Sequence, residues 1–87
     1  MDPNYVESIL ILNERGDSDA VRPWLVHRGF SVTPMRAGFL VSGPKDNFET
    51  TFSVDLAEAE PPIQLPIPRE ISRYVASFGI PKPRQVH

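Results

Sequence analysis

Residues 21–56 read VRPWLVHRGF SVTPMRAGFL VSGPKDNFET TFSVDL and decide the fold. Apolar residues first recur at helical spacing, then alternate with polar ones on both sides of a proline- and glycine-containing turn, and then recur four positions apart at Phe48 and Phe52. Such changes of period predict a helix, a pair of strands and a second helix. A last pair of alternating apolar residues predicts a further strand at residues 54–56.

Both helices carry end signals. Asp19 is expected to cap the first helix, because Pro23 lacks a backbone N–H and is best tolerated in the first turn. Gly29 is expected to follow the end of that helix. Gly43 and Pro44 are expected to open the second helix, with the proline at its first position.

An apolar run at residues 7–13, rich in Ile and Leu and followed by a glycine turn, predicts a buried strand ahead of the first helix. We therefore predict an α+β protein with the ferredoxin-like split βαββαβ order, in which a four-stranded antiparallel sheet carries two helices on one face. The apolar residues expected in the core are Ile9, Leu10, Leu12, Val21, Leu25, Val32, Leu40, Phe48, Phe52 and Val54.

The C-terminal part differs in composition from the rest. Residues 58–68 hold four prolines and predict an extended connector. Beyond it, three apolar residues at i, i+4 and i+7 predict a short C-terminal helix over residues 68–78, which Gly79 would end. We expect a single domain at residues 1–79, including this helix, and a proline-rich basic tail at residues 80–87.

Composition limits the class of protein. With 87 residues, 40% of them hydrophobic and 23% charged, the chain has room for one small globular domain. The absence of cysteine excludes disulfides and thiolate metal sites. Residues 1–15 carry neither a signal peptide nor an apolar run long enough for a membrane span, so we expect a soluble cytoplasmic protein without membrane association.

Residue patterns that would indicate catalysis are missing from the sequence. His27 and His87 are its two histidines, no spacing clusters histidine with carboxylates, and no serine lies in a nucleophile-elbow motif. We expect no enzymatic activity, no metal and no cofactor. Nucleic-acid binding is not expected either, because residues 39–41 lack a basic and aromatic pattern and residues 1–68 hold five Lys or Arg against ten Asp or Glu.

The order of the motifs resembles the activation domain of sedolisin-like, or kumamolisin-like, serine-carboxyl peptidases over residues 21–80. The residues that carry the resemblance are Trp24, Leu25, Gly29, Phe30, Ser42, Gly43, Phe52, Leu65, Pro66 and Gly79. In that family the domain is a ferredoxin-like intramolecular chaperone, and its C-terminal segment occupies the peptidase cleft until acid-triggered processing. One departure is a shorter segment before the Trp-Leu helix. We also expect this domain to act without a Ser/Glu/Asp catalytic domain in the same chain.

The resemblance implies a non-catalytic protein-binding module that inhibits, chaperones or docks onto a sedolisin-like peptidase, or a descendant of one, in trans. The alternative is a structural or adaptor subunit of a larger assembly, which would expose a sheet edge or its proline-rich C terminus. Partner contacts are expected from Arg73, Lys82, Pro83 and Arg84, because an extended basic segment suits a groove lined with carboxylates. The oligomeric state is left open.

Overall fold

The structure is a computed structural model that describes residues 5–56 and 60–82. In these residues one antiparallel sheet of five strands is combined with two α-helices and a short 3₁₀ helix, which confirms the predicted α+β class. In chain order the elements are β1 (Tyr5–Leu12), α1 (Ser18–His27), β2 (Ser31–Met35), β3 (Gly38–Pro44), α2 (Lys45–Phe52), β4 (Ile63–Gln64), the 3₁₀ helix (Ser72–Tyr74) and β5 (Val75–Ile80). The strand order β2-β3-β1-β5-β4 places β1 in the middle.

The predicted four-stranded ferredoxin-like sheet is wrong in the number and the identity of its strands. Residues 54–56 do not form a strand. Ser53 turns the chain at a positive φ of 55°, and the Glu49 carboxylate then accepts the backbone N–H of Leu56 at 2.8 Å. Because α2 binds this backbone donor, the segment packs beside α2 and does not pair with the sheet. The short strand β4 forms instead inside the expected connector at residues 58–68.

The predicted C-terminal helix over residues 68–78 is also wrong, because most of this segment forms the 3₁₀ helix and β5. Phe78 and Val75 are both buried although they lie three positions apart. The pairing with β1 explains the spacing, since Val75 lies opposite Leu12 and the ladder then shifts register, leaving Ala76 as an extra residue. Such a bulge places two residues at helical spacing on one face of a strand.

Helix α1 begins earlier than predicted. Its N-cap is Asp17, not Asp19, because the Asp17 side chain accepts the N–H of Asp19 at 3.0 Å. Pro23 consequently lies inside the helix, in its second turn. The other end follows the prediction, since Gly29 comes directly after the C-cap with a φ of 92°, a conformation that glycine adopts without strain.

The core lies between one face of the sheet and the two helices. The middle strand β1 contributes Leu10, which is 0% exposed, while α1 contributes Leu25 and α2 contributes Phe48. The other buried members are Val21, Phe30, Phe39, Val41, Phe52, Leu56, Leu65, Ile71, Val75 and Phe78. Since both helices join this one cluster, both cover the same face of the sheet.

Trp24 lies at the margin of the core. Its ring centre is 6.3 Å from that of Phe52. The guanidinium carbon of Arg28 lies over the indole, 3.7 Å from the ring centre. Arg28 also donates a hydrogen bond to the Trp24 carbonyl at 3.1 Å. The side chain is half-buried, with its Nε1 enclosed and without a hydrogen-bond acceptor among the described residues. Trp24 therefore covers the edge of the core on the side of α1.

Candidate functional site

The second face of the sheet carries an aliphatic patch. Leu10 points into the core, so its neighbours Ile9 and Ile11 point to the opposite face. In the ladders, Ile9 lies opposite Leu40 on β3 and opposite Gly79 on β5, which places these residues on the same face. Ile9, Ile11 and Leu40 are half-buried and do not belong to the core cluster or to the residues packed against it. We call these three residues the aliphatic patch.

The expectation that Ile9 and Leu40 contribute to the core is wrong for a simple reason. Residues 9–12 are apolar at every position, so their pattern does not tell which alternate side chains face the helices. The pairing of β1 with β3 and β5 determines which side chains face the helices, and it places Leu10 in the core. The patch is therefore the feature that the sequence analysis missed. The one sequence signal for it is the unbroken apolar run at residues 9–12, because a strand with a single buried face needs an apolar residue only at every second position.

A groove of about 390 Å³ runs beside the patch over β5. Ile9 and Ile11 line one side of it and Gln64 lines the other. Between them, β5 presents only Ser77 and Gly79 to this face. The small size of these two residues leaves the groove open, and we call it the β5 groove.

A second cleft, of about 530 Å³, lies at the end of the same face where β1 begins, and we call it the Tyr5 cleft. Its lining combines Leu40 of the patch with exposed Tyr5, Glu7 and Lys82. It meets the β5 groove at Pro81, which lines both spaces. The aliphatic patch is thus continuous with a polar and charged rim.

The structure separates the residues predicted to bind a partner. Lys82 is exposed and lines the Tyr5 cleft. Arg73 is exposed in the 3₁₀ helix, where its carbonyl accepts a hydrogen bond from the Asn13 side chain at 2.8 Å. The six residues of β5 lie between these two cations, a length of about 20 Å at the usual rise of a strand. Arg73 and Lys82 therefore do not form one site, and Pro83 and Arg84 lie outside the described residues.

The two edges of the sheet offer little backbone for pairing with another strand. Edge strand β2 contains Pro34, which has no N–H to donate. Edge strand β4 has two residues and is preceded by Pro61 and Pro62 and followed by Pro66. Short edges with proline are typical of sheets that avoid strand addition. The face, and not an edge, is the better candidate for docking.

The described residues contain no group of three or more His, Cys, Asp or Glu side chains that could hold a metal ion. In the same part of the chain, no helix has the length and hydropathy to cross a membrane. Comparison with protein-family models, with curated proteins and with solved structures finds no match. The resemblance to the sedolisin activation domain stays a prediction that is based on its sequence motifs.

Proposed function

We propose that this chain is a non-catalytic protein-binding module that docks through the uncovered face of its sheet onto a sedolisin-like peptidase or a descendant of one. The observation that carries the proposal is the aliphatic patch on the middle of the sheet. Its side chains are half-buried while the opposite face already supplies the core. Aliphatic residues grouped on one face, with polar residues around them, have the usual composition of a protein interface.

The polar residues around the aliphatic patch indicate which groups a partner surface would need. Tyr5, at 46% exposure, and Gln64 provide hydrogen-bonding groups on either side of the patch. Glu7 and Lys82 place opposite charges at the Tyr5 cleft. We expect a partner surface with aliphatic side chains at its centre and with a carboxylate that faces Lys82. Such charges at the rim contribute more to orientation and association rate than to affinity.

The path of the chain supports the choice of a peptidase as the partner. Strand β5 ends at Ile80, and the next two residues, Pro81 and Lys82, line the Tyr5 cleft. The sequence continues with residues 83–87, which include Arg84. In the sedolisin resemblance this is the segment that enters the peptidase cleft. A docking face that adjoins the start of this segment would let both contact one partner, which raises the effective concentration of the second contact.

The test is binding to, and inhibition of, a purified kumamolisin-type peptidase by the whole chain. We expect the double variant Ile9→Thr/Leu40→Thr to bind at least tenfold more weakly, since it removes the apolar centre of the interface. Threonine is β-branched and suits a strand at both positions. Val26→Thr is the matched control, because Val26 is aliphatic and 51% exposed on the outer side of α1. This control is expected to bind as the unchanged chain does.

Two results would contradict the proposal. If the whole chain neither binds nor inhibits the peptidase, the partner is wrong. If the double variant binds as tightly as the Val26→Thr control, the face is wrong. A pull-down from the source lysate that recovers an assembly without any peptidase, and loses it in the double variant, would replace the peptidase by the adaptor role.

A further inference from the structure

A third cleft, of about 530 Å³, lies at the other end of the sheet from the Tyr5 cleft. It is bounded by the start of α1 on one side and by the turn of the β2–β3 hairpin on the other. Arg22 lines it from α1, and Arg36 lines it from the hairpin turn. The fold thus brings together two arginines that belong to different elements. We call this space the arginine cleft.

The two guanidinium groups carry charge that the described residues do not neutralise by ion pairing. Arg22 and Arg36 are both exposed, and in residues 5–56 and 60–82 neither forms an ion pair. Asp19 is the one carboxylate among the described residues that line the cleft, so two cations face one anion there. Guanidinium groups bind carboxylates through two parallel hydrogen bonds, a geometry that lysine cannot provide.

Apolar surface lies beside these charges. Met35 is 39% exposed, and Pro34 and Phe39 line the same cleft. An unbranched methionine side chain adapts to the shape of different apolar partners. A ligand that fills the arginine cleft therefore needs acidic groups for the two arginines and an apolar group for Met35.

We propose that the arginine cleft binds an acidic peptide segment of a protein partner, with carboxylates on Arg22 and Arg36 and an apolar side chain against Met35. A free inorganic anion would satisfy the guanidinium groups but would leave the apolar wall uncovered and most of the volume empty. The site contains none of the three patch residues, and the proposal does not depend on the function proposed above. It would give the module a second point of attachment.

The test is a titration of the isotope-labelled whole chain, by NMR at low salt, with the peptide acetyl-Asp-Glu-Leu-Asp-Glu-amide. We expect shifts of the backbone signals of residues 13–22 and 34–39 and of few others. The double variant Arg22→Gln/Arg36→Gln is expected to bind about tenfold more weakly. Lys45→Gln is the control at the other end of the sheet, where Lys45 is half-buried. We expect less than about a twofold effect, since salt screens the interaction of two charges over that distance.

Three outcomes would overturn the inference. The first is equal binding of the neutral peptide acetyl-Asn-Gln-Leu-Asn-Gln-amide. The second is an equal loss of affinity in the double variant and in the Lys45→Gln control. The third is binding of inorganic phosphate, with shifts of the same signals, under conditions in which the acidic peptide does not bind. The comparison of the two peptides uses the unchanged chain, so it remains informative even if the double variant does not fold.

Discussion

Phe52 is the residue on which the packing of this small domain depends most. It is 4% exposed, and its ring centre lies within 6.3 Å of four other aromatic ring centres. These belong to Trp24, Phe30, Phe48 and Phe78. We expect Phe52→Ala to lower the free energy of unfolding by about 3–5 kcal/mol, because the lost ring leaves a cavity at the junction of α1, α2 and β5.

Urea titration followed by the fluorescence of Trp24, the one tryptophan of the chain, measures this loss. Val26→Ala is the control, since that side chain is 51% exposed. A surface change of this kind is expected to alter the free energy of unfolding by about 0.5 kcal/mol or less. A loss below about 1 kcal/mol for Phe52→Ala would contradict the central position of the ring.

At the scale of elements, one side chain fixes the segment that follows α2. The Glu49 carbonyl accepts the N–H of Val54 at 3.2 Å, and its carboxylate accepts the N–H of Leu56 at 2.8 Å. We expect Glu49→Ala to lower the free energy of unfolding by about 1–3 kcal/mol, because the backbone N–H of buried Leu56 loses its hydrogen-bond acceptor. Glu49→Gln keeps an acceptor oxygen and should lose less. Hydrogen exchange at the Leu56 amide measures the effect locally, and unchanged protection in Glu49→Ala would contradict it.

Because residues 75–80 form a strand, a β-branched substitution at an exposed position there is expected to stabilise the protein, whereas in a helix it would destabilise it. Ser77 is exposed and lies opposite Ile11 in the ladder. We expect Ser77→Thr to raise the free energy of unfolding by about 0.2–1 kcal/mol, because a β-branched residue gains a cross-strand contact with Ile11. Thr50→Ala, on the exposed side of α2, is the helical control and should also be stabilising. A loss of stability in Ser77→Thr would favour the helix.

The elements that the sequence predicted correctly have local signals. Gly29, at a φ of 92°, follows α1, and Phe48 and Phe52 share the buried side of α2. The elements that it missed depend on contacts between distant parts of the chain. The positions of Val75 and Phe78 result from a bulge against β1, which precedes them by more than sixty residues. No pattern within the C-terminal segment itself distinguishes such a strand from a short helix.

The candidate sites were harder to predict than the core, for the same physical reason. The aliphatic patch exists because Leu10, and not Ile9, points at the helices, and only the register of the sheet decides this. The arginine cleft exists because the β2–β3 turn lies beside the start of α1. Of the residues predicted to bind a partner, Lys82 lies at a cleft on the uncovered face, whereas Arg73 lies at the other end of β5.

For the whole molecule, we expect stability and partner binding to depend on opposite faces of one sheet. Ile9→Thr/Leu40→Thr should lower the free energy of unfolding by only about 1 kcal/mol per site, because both side chains are half-buried outside the core. Leu10→Thr, one position along β1, should lose more than about 2 kcal/mol, because Leu10 is 0% exposed. Urea titrations of the two variants measure both values. A loss per site in the double variant equal to the loss in Leu10→Thr would show that the patch belongs to the core.

The contribution of the C-terminal residues to binding can be separated from that of the face. A chain that ends at Gly79 would lose Ile80, which pairs with β4, so it would change the sheet together with the tail. A chain that ends at Lys82 keeps every described strand and removes residues 83–87 alone. We expect this shorter chain to bind the peptidase up to about tenfold more weakly at low salt, with most of the loss in the association rate, because exposed charges act mainly by long-range attraction.

Stopped-flow measurements at low and high salt test this expectation, since added salt should reduce the difference between the two chains as it screens exposed charges. Arg84→Gln in the whole chain is the matched control, because it removes the one Lys or Arg of residues 83–87 and leaves the length unchanged. It should reproduce most of the loss in rate. Equal association rates of the two chains at low salt would mean that residues 83–87 make no contact with the peptidase. The uncovered face and Lys82 would then have to account for all of the binding.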